Sequence, residues 1–205
     1  MSSRREISLA ERKRQLVADE LTEAALQLLA LKGFDAVTVD EIVGAAGVSK
    51  RTFFRYFASK EDVVIQFLAD MGTGMCAELA ARPAGERPSE ALRHAVWVPL
   101  GECADHSERA LRVVRLILGT PALLARFLER QAQWRDDLAA ELARREGLDD
   151  ATELYPRLAA GMALNAFDAV LHRWSGSEGE EDPAGLTDGA FAVIAPALDA
   201  GVPRG

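Results

Sequence analysis

At 205 residues with 49% hydrophobic side chains, the chain can bury a full core as one large or two small domains, which excludes any need for a metal or disulfide staple. Two cysteines, Cys76 and Cys103, are too few for a disulfide scaffold and point to a reduced, cytoplasmic setting. The net charge of -8 argues against nucleic acid as a partner, but its distribution does not: residues 1–60 hold ten Lys/Arg against eight Asp/Glu, and residues 61–205 fourteen against twenty-four.

In chain order, the start, MSSRREISLAERKRQ, is polar and carries Arg4, Arg5, Arg12, Lys13 and Arg14 with no apolar segment behind it, so no secretion signal is expected. Residues 9–32 place Leu21, Ala24, Ala25, Leu28 and Leu31 at helical spacing, and Gly33 stops the run. Thr38, followed by Asp40 and Glu41, caps a short helix to about Ala46. Gly47 breaks it, Ser49 caps the next, and KRTFFRYF continues for about two turns. Ser59 opens a longer helix to about Arg82, with Asp62 at the capping-box position. Gly72 and Gly74 lower helix propensity in its middle and offer a bend or a break.

Beyond residue 80, RPAGERPSE reads as a loop ending in a Ser89 cap. Helical patterns follow over 89–104, 107–118, 121–146 and 150–174. An acidic loop, SGSEGEEDPAG, covers 175–185, and a last helix covers 186–199. With no β-branched alternation, the fold class is all-α: an N-terminal domain over 1–60 and a helical bundle over 61–205. Uncharged apolar runs such as 116–125 and 158–167 end at ten residues, short of the ~18 that a membrane span requires, so no membrane association is expected.

Two short helices joined by a Gly-containing turn, the second rich in Lys, Arg, Thr and Tyr, describe a helix-turn-helix whose second helix enters the DNA major groove. Ser49 and the free amides at the helix start suit a phosphate. Lys50 and Arg51 reach phosphates or the acceptor edge of guanine, and Thr52 a base edge or thymine methyl. Phe53 and Phe57, four apart, face inward. Phe54, Arg55 and Tyr56 then lie on or beside the outer face, and Lys60 suits a phosphate.

The block GFDAVTVDEIVGAAGVSKRTFFRYFASKEDVV resembles the N-terminal domain of the TetR-type bacterial transcriptional regulators, a likeness that is specific over residues 10–65 and looser, by helix count and length, beyond. The resemblance implies a homodimer, a three-helix DNA-binding domain and a variable helical domain that binds a small-molecule effector. It places Thr38, Ser49, Lys50, Arg51, Thr52, Phe54, Arg55, Tyr56 and Lys60 where the family contacts a double-stranded DNA operator. Phe54 departs from the common Tyr and has no hydroxyl to offer a phosphate. Ala58, often Pro or Lys in relatives, offers nothing to DNA.

In the remaining helices, Ala159, Ala160, Gly161, Ala163 and Ala166 permit close helix approach. Leu158, Leu164, Phe167, Leu171, Trp174, Phe191, Ile194 and Leu198 add apolar area, divided between intrachain core and a four-helix dimer seam. Phe67, Met71, Met75, Trp97, Leu116, Phe127, Trp134, Met162, Asn165 and Phe167 are the candidate effector-site residues. Asn165 and Asp168 lie near the apolar face and call for a partner, a ligand or another side chain. The arginines at 109, 112 and 115 form a stripe that suits an anionic head group or a set of ion pairs.

Two other readings compete. One is an all-helical enzyme around His94, Glu102, Cys103 and His106, which lack compact metal-ligand spacing, so neither metal nor cofactor is expected. The other is a helical scaffold that binds only protein and has no salt-dependent DNA affinity.

Overall fold

The computed structural model describes residues 9–104, 108–149 and 154–200, and among these residues it contains nine α-helices and no strand. Arg4, Arg5 and His106 lie outside the described residues, as does the side chain of Glu102. The chain divides into two compact units between Phe67 and Leu68.

The first unit holds α1 (Leu9–Lys32), α2 (Val39–Ala45), α3 (Lys50–Tyr56) and the start of α4 (Lys60–Ala81). Its core gathers Leu21, Ala25, Leu26 and Leu29 from α1 with Val37, Ile42, Val43, Phe53, Phe57, Val63 and Val64. This corrects the stripe expected on α1. Leu26 and Leu29 are inside, Ala24 and Leu28 are half-buried, and Leu31 is 57% exposed. The helix is rich in Ala and Leu on adjacent faces, so spacing alone admits either stripe. Packing against α2 selects the one that includes Leu21, Ala25 and Leu29.

The second unit continues α4 and adds α5 (Pro88–Ala104), α6 (Glu108–Gly119), α7 (Pro121–Glu146), α8 (Leu154–Gly176) and α9 (Pro183–Ala200). α8 packs between α7 and α9, and α5 packs on α9. An aromatic column forms the centre: Phe127 meets Trp134 edge-on at 5.8 Å, and Trp134 meets Phe167 edge-on at 6.2 Å. α4 runs without interruption through Gly72 and Gly74, so these glycines do not break it.

Polar ties fix the helix ends. Arg145, almost wholly buried, donates to the carbonyls of Arg82 (2.9 Å), Pro83 and Glu86 (3.0 Å), and so anchors the loop after α4 to α7. Ser89 is not the cap expected: α5 begins at Pro88, and the buried Ser89 donates its amide and hydroxyl to the Asp199 carboxylate of α9, at 3.0 and 2.9 Å. The acidic loop is shorter than its composition suggests. α8 extends to Gly176, and α9 starts at Pro183 because Asp182 accepts from the amides of Ala184 (3.1 Å) and Gly185 (3.0 Å) ahead of a favoured first-turn proline.

Candidate nucleic-acid interface and effector groove

Local capping sets the geometry of α2 and α3. Thr38 Oγ1 accepts from the Glu41 amide at 3.3 Å, and the Glu41 carboxylate accepts from the Thr38 amide at 2.9 Å, a reciprocal capping box. Lys32 adds a 2.7 Å ion pair to Glu41. That bond, then the Thr38 amide and hydroxyl, lower the Glu41 carboxyl from 4.5 to about 2. Gly47 sits at φ +65, the left-handed conformation that lets the chain leave α2 and enter α3 within a few residues. Ser49 then caps α3 by accepting from the Thr52 amide at 3.1 Å, and the two hydroxyls bond each other at 2.9 Å.

Phe53 and Phe57 are buried, as their spacing predicts, and fix which side of α3 faces solvent. Phe54 is 53% exposed and packs edge-on against Phe53, their centroids 5.3 Å apart. Lys50 reaches back to Asp40 on α2 at 2.8 Å. Arg55 lies over the Tyr56 ring, 5.0 Å from its centroid, and donates to the Tyr56 hydroxyl at 3.2 Å. Arg51 is exposed and has no partner among the described residues.

Lys60, expected at a phosphate, also makes contacts within the protein. Its part-buried ammonium donates to the carbonyls of Phe34 and Val37, the latter at 2.8 Å, and lies 4.6 Å from the centroid of the Phe34 ring. Two of its three protons are therefore committed to the α1–α2 connection. Beside it, Ser59 caps α4 by accepting from the Asp62 amide at 3.1 Å. Asp62, shorter than the usual Glu, accepts from the Ala58 amide at 2.9 Å.

The effector candidates do not form one site. Met75, Leu116, Phe127, Trp134 and Phe167 are core residues; Phe67, Met71, Trp97 and Met162 are half-buried; and Phe67 belongs to the first unit. Asn165 is exposed on α8, which removes the expectation of a buried amide needing a partner. Asp168 has protein partners, Gln131 at 3.4 Å and His172 at 3.4 Å. The arginine stripe is paired: Arg112 with Glu108 at 2.9 Å, and Arg115 with the Ser175 carbonyl at 2.9 Å.

An open groove of about 690 Å³ lies between α4 and α7. Ala69, Gly72, Thr73, Cys76 and Ala77 form one wall, and Arg130, Gln133, Trp134, Asp137, Ala140, Glu141 and Arg144 the other. Of the ten candidates only Trp134 lines it. The remaining lining residues are not among the candidates, because charged residues on α7 read as a solvated face in the sequence. The legible signal was the matched helical spacing of small residues on α4. Burial, with Asp137 and Glu141 nearby, raises the Cys76 thiol to about 11, so it is a poor nucleophile.

Most of the seam candidates are intrachain core: Ala159, Ala160, Ala163, Leu164, Ala166, Phe167, Leu171, Trp174, Phe191 and Leu198 are buried within this chain. The same two helices, α8 and α9, still expose Leu154 (77%), Leu158 (54%) and Val193 (78%). Among the described residues no group of three or more His, Cys, Asp or Glu is placed to hold a metal ion. By length and composition alone α4 could cross a membrane, a test that core helices also pass, and here Val63, Val64, Leu68, Met75 and Leu79 of α4 are buried within the fold. Asp70 and Glu78 divide this helix into shorter uncharged runs.

Residues 21–67 match the family of bacterial regulatory proteins described as tetR, and residues 86–199 match the MftR C-terminal domain. The chain is 34% identical to the transcriptional regulator TcmR of Streptomyces glaucescens over 172 residues, covering 81% of this chain and 76% of that one. It is also 34% identical to MftR of Mycobacterium tuberculosis, a putative mycofactocin biosynthesis transcriptional regulator, over 92% of this chain and 94% of that one. Among solved structures, the fatty acid degradation regulator FadR of Bacillus halodurans superposes with a TM-score of 0.65 at 22% identity, covering 89% of this chain and 96% of that one. A capped helix-turn-helix and a helical second unit, each matched over its own stretch, establish that this chain belongs to the TetR family of DNA-binding transcriptional regulators.

Proposed function

We propose that the chain acts in the cytoplasm as a homodimeric repressor that binds a palindromic double-stranded DNA operator and is released from it by a small-molecule effector. DNA binding belongs to residues 1–60, and dimerisation and effector binding to residues 61–205. The observation that carries this reading is the outer face of α3, where Arg51, Phe54 and Arg55 are exposed around a helix locked by the buried Phe53 and Phe57. Ser49, Thr52 and Tyr56 flank that face. Thr38 and Lys60 support it by holding α2 and α4 in place.

One short helix reads few base pairs, so two copies about one helical turn of DNA apart are needed for a specific site. Leu154, Leu158 and Val193 offer the apolar area for that pairing. The α4–α7 groove is the favoured effector site, because α4 supplies one of its walls and also begins in the DNA-binding unit. A ligand that binds one groove geometry better than another shifts DNA affinity by that difference.

The test is selection of bound sequences from random duplex DNA with the full chain, followed by titration of salt and a screen for small molecules that release the complex. A palindromic consensus with affinity falling steeply as salt rises supports the reading. A protein that ignores every duplex at low ionic strength overturns it.

A further inference from the structure

We propose that Arg51 is the base-reading cation of α3, contacting a guanine in each operator half-site. This assignment rests on the DNA-binding reading above. The four basic side chains around α3 are not equivalent. At about 100° per residue, the direction opposite the buried Phe53 and Phe57 coincides with Arg55, and Arg51 lies about 40° to one side of it. Lys50 falls near the inward edge, where Asp40 accepts from it at 2.8 Å and offsets its charge. Lys60 is held by the carbonyls of Phe34 and Val37. Arg55 points outward, but its guanidinium lies over the Tyr56 ring and donates to the Tyr56 hydroxyl. Only Arg51 among the four faces outward without a partner among the described residues.

Position adds to charge. A recognition helix presents base edges to its N-terminal residues, and Arg51 is the second residue of α3, whereas Arg55 is in its last turn. A free guanidinium there can donate two parallel hydrogen bonds to the N7 and O6 acceptors of guanine, a pattern no other base offers. Arg55, steadied by Tyr56, is left for the phosphates, which fix register without reading sequence.

The experiment is selection from random duplex DNA with the full-length protein and with Arg51→Ala, Arg51→Lys and Lys50→Ala, followed by affinity measurement on the wild-type consensus. The wild-type consensus should contain a G·C pair in each half-site. Arg51→Ala should lose preference at that pair alone and bind the consensus about 5- to 150-fold more weakly. Arg51→Lys, which keeps the charge but not the planar fork, should retain general affinity and weaken the guanine preference without abolishing it; it serves if the alanine variant melts early. Lys50→Ala should keep the guanine. A guanine preference that persists undiminished in both Arg51 variants, or one that Lys50→Ala erases, overturns the assignment while leaving the DNA-binding reading intact. Failure of the wild-type protein to select any sequence overturns both.

Discussion

Gly72 of α4 lies against the indole of Trp134 of α7, so closely that a Cβ at position 72 would fall 2.2 Å from Trp134 Cδ1 and 2.3 Å from Nε1. Phe127 and Phe167 pack edge-on against the indole and oppose its retreat. Gly72→Ala should therefore destabilise the second unit by about 1 to 3 kcal/mol through overpacking. The helix propensity that alanine gains, about 1 kcal/mol, offsets only part of this. Chemical denaturation followed by tryptophan fluorescence checks it. An unchanged or raised midpoint would mean the helices do not approach this closely.

Lys60 ties the start of α4 to the carbonyls of Phe34 and Val37. Replacing it with methionine keeps the stem and removes the donors. The first unit should lose about 1 to 3 kcal/mol, the usual cost of deleting a charged donor from part-buried acceptors. The slope of log affinity against log salt should stay the same, because two protons of this ammonium serve the protein. A slope shallower by about one, with stability unchanged, would instead make Lys60 a phosphate contact.

Glu41 gives the first unit an acid-sensitive element. Its carboxyl is lowered from 4.5 to about 2 when folded, chiefly by the bond from Lys32. A depressed folded value means the stabilisation is complete above the unfolded value and fades as pH falls through the folded one. Unfolding midpoints measured at a series of pH values from about 5 to about 2 should fall more steeply for the wild type than for Glu41→Gln. Parallel curves would show that the capping box and the Lys32 pair add nothing to acid sensitivity.

Much of the first unit was legible because its signals are local. Thr38, Ser49 and Gly47 act within a few residues of themselves, and the Phe53 and Phe57 spacing gave the inward face of α3 directly. What the sequence hid depends on partners far along the chain. Ser89 resembles a cap until Asp199, 110 residues on, accepts from it. Gly72 resembles a hinge until Trp134 fills the space beside it. The groove between α4 and α7 shows the same limit: its walls are largely small and charged residues from helices far apart in the chain, a lining that an apolar pattern does not announce.

The exposed apolar residues on α8 and α9 carry the last prediction. Leu158 and Val193 are 54% and 78% exposed, and neither belongs to this chain's own core. A charge placed at either should cost the monomer little, since surface substitutions usually change stability by less than about 0.5 kcal/mol. Buried in a two-fold seam, the same charge meets its own copy across the axis, unpaired and desolvated. Leu158→Glu with Val193→Glu should therefore yield a folded monomer by light scattering, with a far-ultraviolet dichroism spectrum like that of the wild type. Operator affinity should fall by orders of magnitude, because one half-site contact must then act alone. A double variant that remained dimeric would move the seam off this face of α8 and α9. A monomer with undiminished operator affinity would remove the need for a seam at all.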